Sequence, residues 1–127
     1  MQQITRRGER SLLNTKSKAF AVRIVKLIKS IKNDWTLSSL FQQILRSATS
    51  IHANIRESEY AQSTSDFISK LSIALKEANE TQGWLEILVE SDCLAQEAFS
   101  SLYADCDELI SMLSASVKTT KRNNGLL

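Results

Sequence analysis

Few side chains in this 127-residue chain have the types and spacing that catalysis or metal binding requires. His52 is the single histidine, and no cysteine or aspartate stands near it at a spacing typical of a metal site or general base. Cys93 and Cys106 are thirteen positions apart without a CxxC motif, which favours two free thiols in a reducing compartment over a disulfide or zinc site. Glu77 and Glu80 lie one helical turn apart but lack the histidine of a Glu-x-x-His di-metal motif. No serine lies in a GxSxG motif, so the sequence predicts no catalytic, metal, cofactor or small-molecule site.

Charge is distributed unevenly along the chain, although the formal net charge is only +2. Residues 1–32 contain nine basic residues and one acidic residue, whereas residues 33–117 contain four basic and thirteen acidic residues. This asymmetry is typical of an arm that binds a polyanion, and it equally fits complementary surfaces within one assembly. The candidate nucleic-acid-binding residues form a flexible arm and one side of the first apolar segment: Arg6, Arg7, Arg10, Lys18, Lys26, Lys29 and Lys32. No aromatic residue interleaves with them, so phosphate contacts are expected rather than base stacking, and a merely solvated face is the alternative.

The composition indicates an all-helical chain. Proline is absent and glycine occurs three times, whereas sheet proteins need both residues at their turns. Hydrophobic residues make up 43%, which is enough for a core. No apolar stretch approaches the length of a membrane span, and the basic N-terminus has no apolar segment behind it. We therefore expect a cytoplasmic protein without a membrane partner.

Apolar residues recur at helical spacing in four successive segments. The predicted helices span residues 12–31, 37–59, 63–90 and 96–118. Thr36 and Ser63 are the predicted N-caps of the second and third helices, and Gly83 is interpreted as a tolerated glycine at a close helix contact. Short links force neighbouring helices to run antiparallel. The predicted fold is an all-α, antiparallel up-down-up-down four-helix bundle in one domain, residues 1–127, with ends that fray over about residues 1–11 and 120–127.

The two central helices carry a family resemblance. Residues 45–58 read LRSATSIHANIRES, and they resemble the signature helix of the 23S ribosomal RNA intervening-sequence family, in which Arg-Ser-small-x-Ser-Ile-x-Ala-Asn-Ile-x-Glu is typical. The stretches DFISKLSIALKEANET at 66–81 and WLEIL at 84–88 fit the same family. Two residues depart from its pattern: His52 stands where glycine or proline is common, and Ala95 where a Ser/Thr helix cap is expected.

The resemblance implies a small bacterial protein that assembles as a ring, typically a homopentamer. Some members of the family are encoded inside ribosomal RNA gene insertions. A related branch includes accessory proteins of diversity-generating retroelements, which work with RNA and a reverse transcriptase. The implied partners are therefore further copies of the chain and, as the alternative, RNA or DNA.

Two helix faces outside the predicted core stripes are candidates for contact between copies. An apolar strip that contains tryptophan suggests a partner when it lies outside a core, whereas the flank of a wide core stripe is the alternative. The candidates on the second helix are small or hydrogen-bonding residues: Ser47, Ser50, Ala53 and Asn54. The candidates on the third helix form the apolar strip and include one acidic residue: Ile73, Glu80, Trp84 and Ile87.

The function that these observations favour is a non-enzymatic, homo-oligomeric scaffold, pentameric by resemblance. The alternative is an RNA- or DNA-binding accessory protein that uses the basic face of the first helix. An enzyme is disfavoured because the sequence contains no nucleophile motif, metal-ligand set or phosphate-binding loop.

Overall fold

Each of the four apolar stripes becomes the buried face of one α-helix. The computed structural model describes residues 7–32 and 34–127, and side-chain surroundings from residue 12 onward. The helices are α1 (Arg7–Ser30), α2 (Trp35–Ser58), α3 (Thr64–Glu90) and α4 (Gln96–Asn123). Each helix packs against the next in sequence, and α4 closes the bundle against α1. The predicted all-α, up-down four-helix bundle is confirmed.

The core follows the predicted spacing closely. In α2 the residues that alternate at spacings of four and three are all buried: Phe41, Ile44, Ala48, Ile51 and Ile55. The other helices contribute equivalent rows, in which Ile24, Leu85 and Leu109 are almost fully buried. Such rows let side chains of one helix fill the gaps between side chains of its neighbour, so the four stripes meet in one continuous core.

The N-terminus of α2 differs from the prediction by two residues. Asp34, not Thr36, is the N-cap, because its Oδ1 accepts hydrogen bonds from the backbone N–H groups of Thr36 (2.9 Å) and Leu37 (3.2 Å). The Thr36 hydroxyl instead donates to the same carboxylate, and this hydrogen bond lowers the pKa of Asp34. Aspartate is at least as good an N-cap residue as threonine. Because Asp34 precedes Thr36 in the chain, α2 begins two residues earlier than predicted.

The ends of α3 agree with the prediction. Ser63 is its N-cap, and its side chain accepts a hydrogen bond from the Asp66 N–H at 3.0 Å. The Asp66 carboxylate accepts in return from the N–H of Gln62, one residue before the cap, at 3.3 Å. Ser91 ends the helix as its C-cap.

Helical structure extends into both stretches that were expected to fray. The first helix begins at Arg7 rather than near Leu12, and residues 1–6 lie outside the described part. The last helix continues to Asn123, where the Lys121 and Arg122 cations lie in its last turn. Cations at this end stabilise a helix by offsetting its dipole, which is why α4 runs past Thr120.

The surroundings of Gly83 differ from the predicted close helix contact. It lies inside α3, and a methyl group placed on its Cα would meet no other atom within 4 Å. No close helix contact within the protomer therefore explains the glycine, and the surface beside it is open.

The missing cap of α4 leads to a stability prediction. Ala95 occupies the N-cap with extended backbone angles and makes no side-chain cap hydrogen bond. Ala95→Ser places a hydroxyl where it can accept from the free N–H groups of the first turn, so the free energy of unfolding should rise by about 1 kcal/mol. Urea unfolding followed by circular dichroism measures the change. Ala115→Ser, at an exposed position within α4, is the control, and an equal gain there would contradict the capping explanation.

Candidate functional site

Arg46 joins α2 to α3 on the surface of the bundle. Its Nη1 donates to Glu77 Oε2 at 2.9 Å, and its Nη2 donates to Glu80. The same Glu80 carboxylate accepts a hydrogen bond from Trp84 Nε1 at 3.2 Å. The polar members of the α3 strip are thus paired within the protomer. Surface ion pairs of this kind contribute little stability, but together they orient the Trp84 indole.

Ser47 does not lie on an outer surface, so its assignment as an interface residue is wrong. Its side chain is fully buried between α2 and α3, where the Thr81 hydroxyl lies 2.8 Å from the Ser47 hydroxyl. The small residue does receive a neighbouring helix at close range, but that helix is α3 of the same chain. Ser47 stands on the flank of the α2 stripe, and only the packing of α3 decides that this flank is covered.

The other candidates on α2 remain on the surface. Ala53 is exposed, and Ser50 and Asn54 are half-buried. The Asn54 amide donates to the Ser50 carbonyl oxygen at 2.8 Å and to its hydroxyl at 3.2 Å. These hydrogen bonds within α2 hold both side chains against the helix, so the outer face of α2 has short side chains and is accessible.

The α3 strip divides into exposed and half-buried residues. Ile73 is 40% exposed and Ile87 is 47% exposed. Trp84 is half-buried and packs against the core. Trp84 therefore follows the alternative given for this strip, because its ring flanks the core stripe. The two isoleucines are the members that the protomer leaves open to a partner.

The cations of α1 form two sets. Lys16 Nζ lies 2.9 Å from Glu108, and Arg23 pairs with Asp105, so these two hold α1 against α4. The candidates that the sequence singled out are all exposed and enter no ion pair among the described residues: Lys18, Lys26, Lys29 and Lys32. Arg6 lies outside the described residues, and so do the side chains of Arg7 and Arg10, although both belong to α1.

Two apolar residues on the same face of α1 escaped the sequence analysis. Val22 is 44% exposed and Val25 is 39% exposed. They continue the helical spacing between Lys18 and Lys29, which places the four side chains on one side of α1. That spacing is a readable signal, but the prediction for this face of α1 rested on its lysines alone.

Comparison with known proteins places this bundle in a family. The sequence profile of the 23S rRNA-intervening sequence protein matches residues 10–115. The chain belongs to the 23S rRNA-intervening sequence protein family. A crystal structure of a protein of unknown function from the S23 ribosomal protein family of Bacteroides thetaiotaomicron is 44% identical, with a TM-score of 0.77 over 87% of this chain and 98% of that one. No curated protein shows detectable similarity to the chain.

His52 is one of the two departures from the 23S rRNA-intervening sequence pattern, and it packs between α1 and α2. Its Nδ1 lies 3.0 Å from the hydroxyl of Ser17, which is fully buried. Burial lowers the pKa of His52, the cations Arg56 and Lys18 lower it further, and Glu59 opposes them. The imidazole is therefore held neutral as a helix-packing group.

The lowered pKa of His52 predicts a pH dependence of stability. The unfolded chain binds more protons than the folded chain between the lowered pKa and the ordinary value of 6.5. The free energy of unfolding should thus be highest above pH 6.5 and fall as the pH drops through this window. Urea unfolding at about pH 7.5 and about pH 5.5 measures the fall. His52→Gln should reduce the difference, and an unchanged difference would assign it to other groups.

The two cysteines of this 23S rRNA-intervening sequence protein lie in different surroundings, since Cys93 is half-buried and Cys106 is fully buried. Cys93 and Cys106 are both free thiols, as predicted. Cys106 is buried, and this burial raises the pKa of its thiol to about 12, so it stays protonated at neutral pH and is a poor nucleophile. Within the described ranges no three His, Cys, Asp or Glu side chains are grouped to hold a metal ion, and no helix has an apolar stretch sufficient to cross a bilayer.

An open depression of about 410 Å³ lies at the α2–α3 turn. Its lining is largely charged or polar and includes an exposed tyrosine: Arg56, Glu57, Tyr60, Gln62, Asp66 and Lys70. Lys70 pairs with Glu57 across it at 3.0 Å. A small-molecule site usually encloses most of its ligand, whereas this depression is wide open, so it has the character of a solvated turn.

Proposed function

We propose that this protein is a non-enzymatic scaffold that self-associates through the outer faces of α2 and α3, closing a ring that is pentameric by family resemblance. The observation that carries the proposal is the exposure of Ile73 and Ile87 on one strip of α3. A β-branched apolar side chain gains about 1.5–3 kcal/mol when it becomes fully buried, and a half-exposed one gains about half as much. Repeated at every contact of a closed ring, this gain supports a stable multimer.

The surroundings of the two isoleucines allow a close approach. Gly83 leaves open space beside Ile87 on α3, and Ala53 presents a short side chain on α2. Arg46 pairs with both Glu77 and Glu80, so a partner that covers this face meets hydrogen-bonded carboxylates with one net negative charge rather than two isolated ones. Desolvation of paired charges costs less than desolvation of isolated ones, which favours burial of the strip.

The test is the mass of the protein in solution. Light scattering coupled to gel filtration should give the wild type a multiple of 14.3 kDa, and Ile73→Glu with Ile87→Glu should give smaller species that remain helical. These positions serve better than Trp84→Glu, because Trp84 also packs against the core. Leu126→Glu, at a leucine that is 59% exposed near the C-terminus, is the control and should keep the wild-type mass. A wild-type mass near 14.3 kDa at micromolar concentration would refute the proposal.

The second candidate function is nucleic-acid binding through α1. The observation that favours it is the set of four exposed lysines without ion pairs in the described part of the chain. Lys18 and Lys29 are separated by about 16 Å along the helix, at about 1.5 Å per residue, so the face spans several phosphates.

Its test is the salt dependence of binding to generic RNA. Affinity should fall steeply as salt rises, because phosphate contacts release counterions, and Lys26→Glu with Lys29→Glu should weaken binding to all sequences alike. Lys118→Glu with Arg122→Glu makes the same charge change at the other end of the bundle and is the control. Binding that responds neither to salt nor to the α1 substitutions would remove this candidate.

A further inference from the structure

The outer face of α1 has the composition of a contact surface rather than of a purely solvated face. Val22 and Val25 are exposed one turn apart, and Lys26 and Lys29 follow on the same side of the helix. Within the part of the chain that the structure describes, α1 packs appreciably only against α2 and α4, and no described residue covers this face. Exposed valines that adjoin lysines match an apolar surface that is bordered by carboxylates.

The second half of α3 presents such a surface. Ile87 is nearly half exposed, Gly83 leaves open space beside it, and Glu86 and Glu90 flank it on the exposed side. Residues 77–117 contain nine acidic residues and no lysine or arginine. Glu90 makes no ion pair within the described ranges, and Glu86 accepts a hydrogen bond only from the Tyr103 hydroxyl, at 3.0 Å. The apolar centre and acidic border of α3 complement the apolar centre and basic border of α1.

The two faces lie at the same height and point in opposite directions. α1 and α3 are joined through the antiparallel α2, so both helices end at the same end of the bundle, where α4 begins. Lys26 and Lys29 occupy the last turns of α1, and Glu86 and Glu90 occupy the last turns of α3. Since α1 and α3 stand at diagonal corners of the bundle, one protomer cannot bring its own faces together. A second copy placed alongside with a parallel axis brings them level.

We infer that the outer face of α1 of one copy packs against the outer face of α3 of the next copy. This inference rests on the proposed self-association and names the surface that meets the α3 strip. Packing α1 against α1 would place lysines opposite lysines, which like-charge repulsion disfavours. A contact between two different faces repeats in one direction around a rotation axis, and this is the type of contact that closes a ring. Because the contact covers Lys26 and Lys29, it competes with phosphate binding at the same residues.

Exchange of the two charge borders tests this pairing. Lys26→Glu with Lys29→Glu and, separately, Glu86→Lys with Glu90→Lys should each place like charges opposite one another. Either pair should raise the concentration needed for half-maximal assembly by about tenfold or more. The fourfold variant that carries both exchanges restores opposite charges within one sequence and should recover the wild-type mass, whatever the number of subunits. Lys118→Glu with Arg122→Glu, far from both faces, should keep the wild-type mass.

The outcomes separate this inference from the proposed function and from RNA binding. Circular dichroism first establishes that every variant is as helical as the wild type. A multimeric wild type whose mass is unchanged by the single exchanges, or not recovered by the fourfold variant, would overturn the α1–α3 pairing and leave self-association standing. A monomeric wild type would overturn both. RNA binding that is lost in the fourfold variant while the mass recovers supports the pairing and shows that RNA uses the same lysines.

Discussion

Replacement of Ile51 by alanine is expected to lower the free energy of unfolding by about 2–5 kcal/mol. Ile51 has no exposed surface and lies in the second half of α2, where Ala48 and Ile55 are equally buried. Removal of its outer carbons loses their transfer free energy and leaves a cavity that four tightly packed helices cannot collapse to fill. Domains of this size are stable by about 5–15 kcal/mol, so this single change removes a large fraction of the total.

Ile73→Ala is the matched control for the Ile51 substitution. The same atoms are deleted from α3, but Ile73 is 40% exposed, so the loss from the protomer should stay below about 1 kcal/mol. Urea unfolding is measured at several protein concentrations, because association of folded copies adds a concentration-dependent stability. Equal losses at the two positions under conditions where the protein is monomeric would contradict the assignment of Ile51 to the core and Ile73 to the surface.

The second large effect is expected at Ser47, where size matters more than polarity. Ser47→Leu should lower the free energy of unfolding by about 3 kcal/mol, because the branched side chain must enter the fully buried contact between α2 and α3. It also removes the hydroxyl that lies 2.8 Å from the Thr81 hydroxyl. Ser47→Ala should cost about 1 kcal/mol or less, since Thr81 can still donate to the Glu77 carbonyl oxygen at 2.8 Å.

Introduction of the same leucine side chain on the outer face provides the comparison. Ala53→Leu lies two turns along α2 on an exposed position and should change the stability of the protomer by less than about 0.5 kcal/mol. Urea unfolding of Ser47→Leu, Ser47→Ala and Ala53→Leu under identical conditions separates the three. A Ser47→Leu protein as stable as the wild type would place Ser47 on an open surface and contradict the α2–α3 packing.

Much of the fold was predictable because helix periodicity is a local property. The alternation of apolar residues in α2 marks the buried face without any knowledge of what covers it, and the residues so marked from Phe41 to Ile55 are buried. The same holds for Ser63, whose cap bond reaches only three residues along the chain. Where two capping residues stand close together, as at Asp34 and Thr36, the local rule alone did not choose between them.

The sequence by itself therefore determined the four helices, their buried stripes, the family and the uneven charge. Only the tertiary structure decided whether residues on the edges of those stripes are buried, paired or exposed. Ser47 is covered by a helix whose contact residue lies 34 positions away, and Arg23 is neutralised by an aspartate 82 positions away. Periodicity tells which side of a helix turns inward, but the neighbour that covers each flank depends on how all four helices pack at once. For this reason the burial of Ser47 and the packing of Trp84 against the core emerge only in the folded bundle. The exposed lysines of α1 and isoleucines of α3, by contrast, follow from helix periodicity alone.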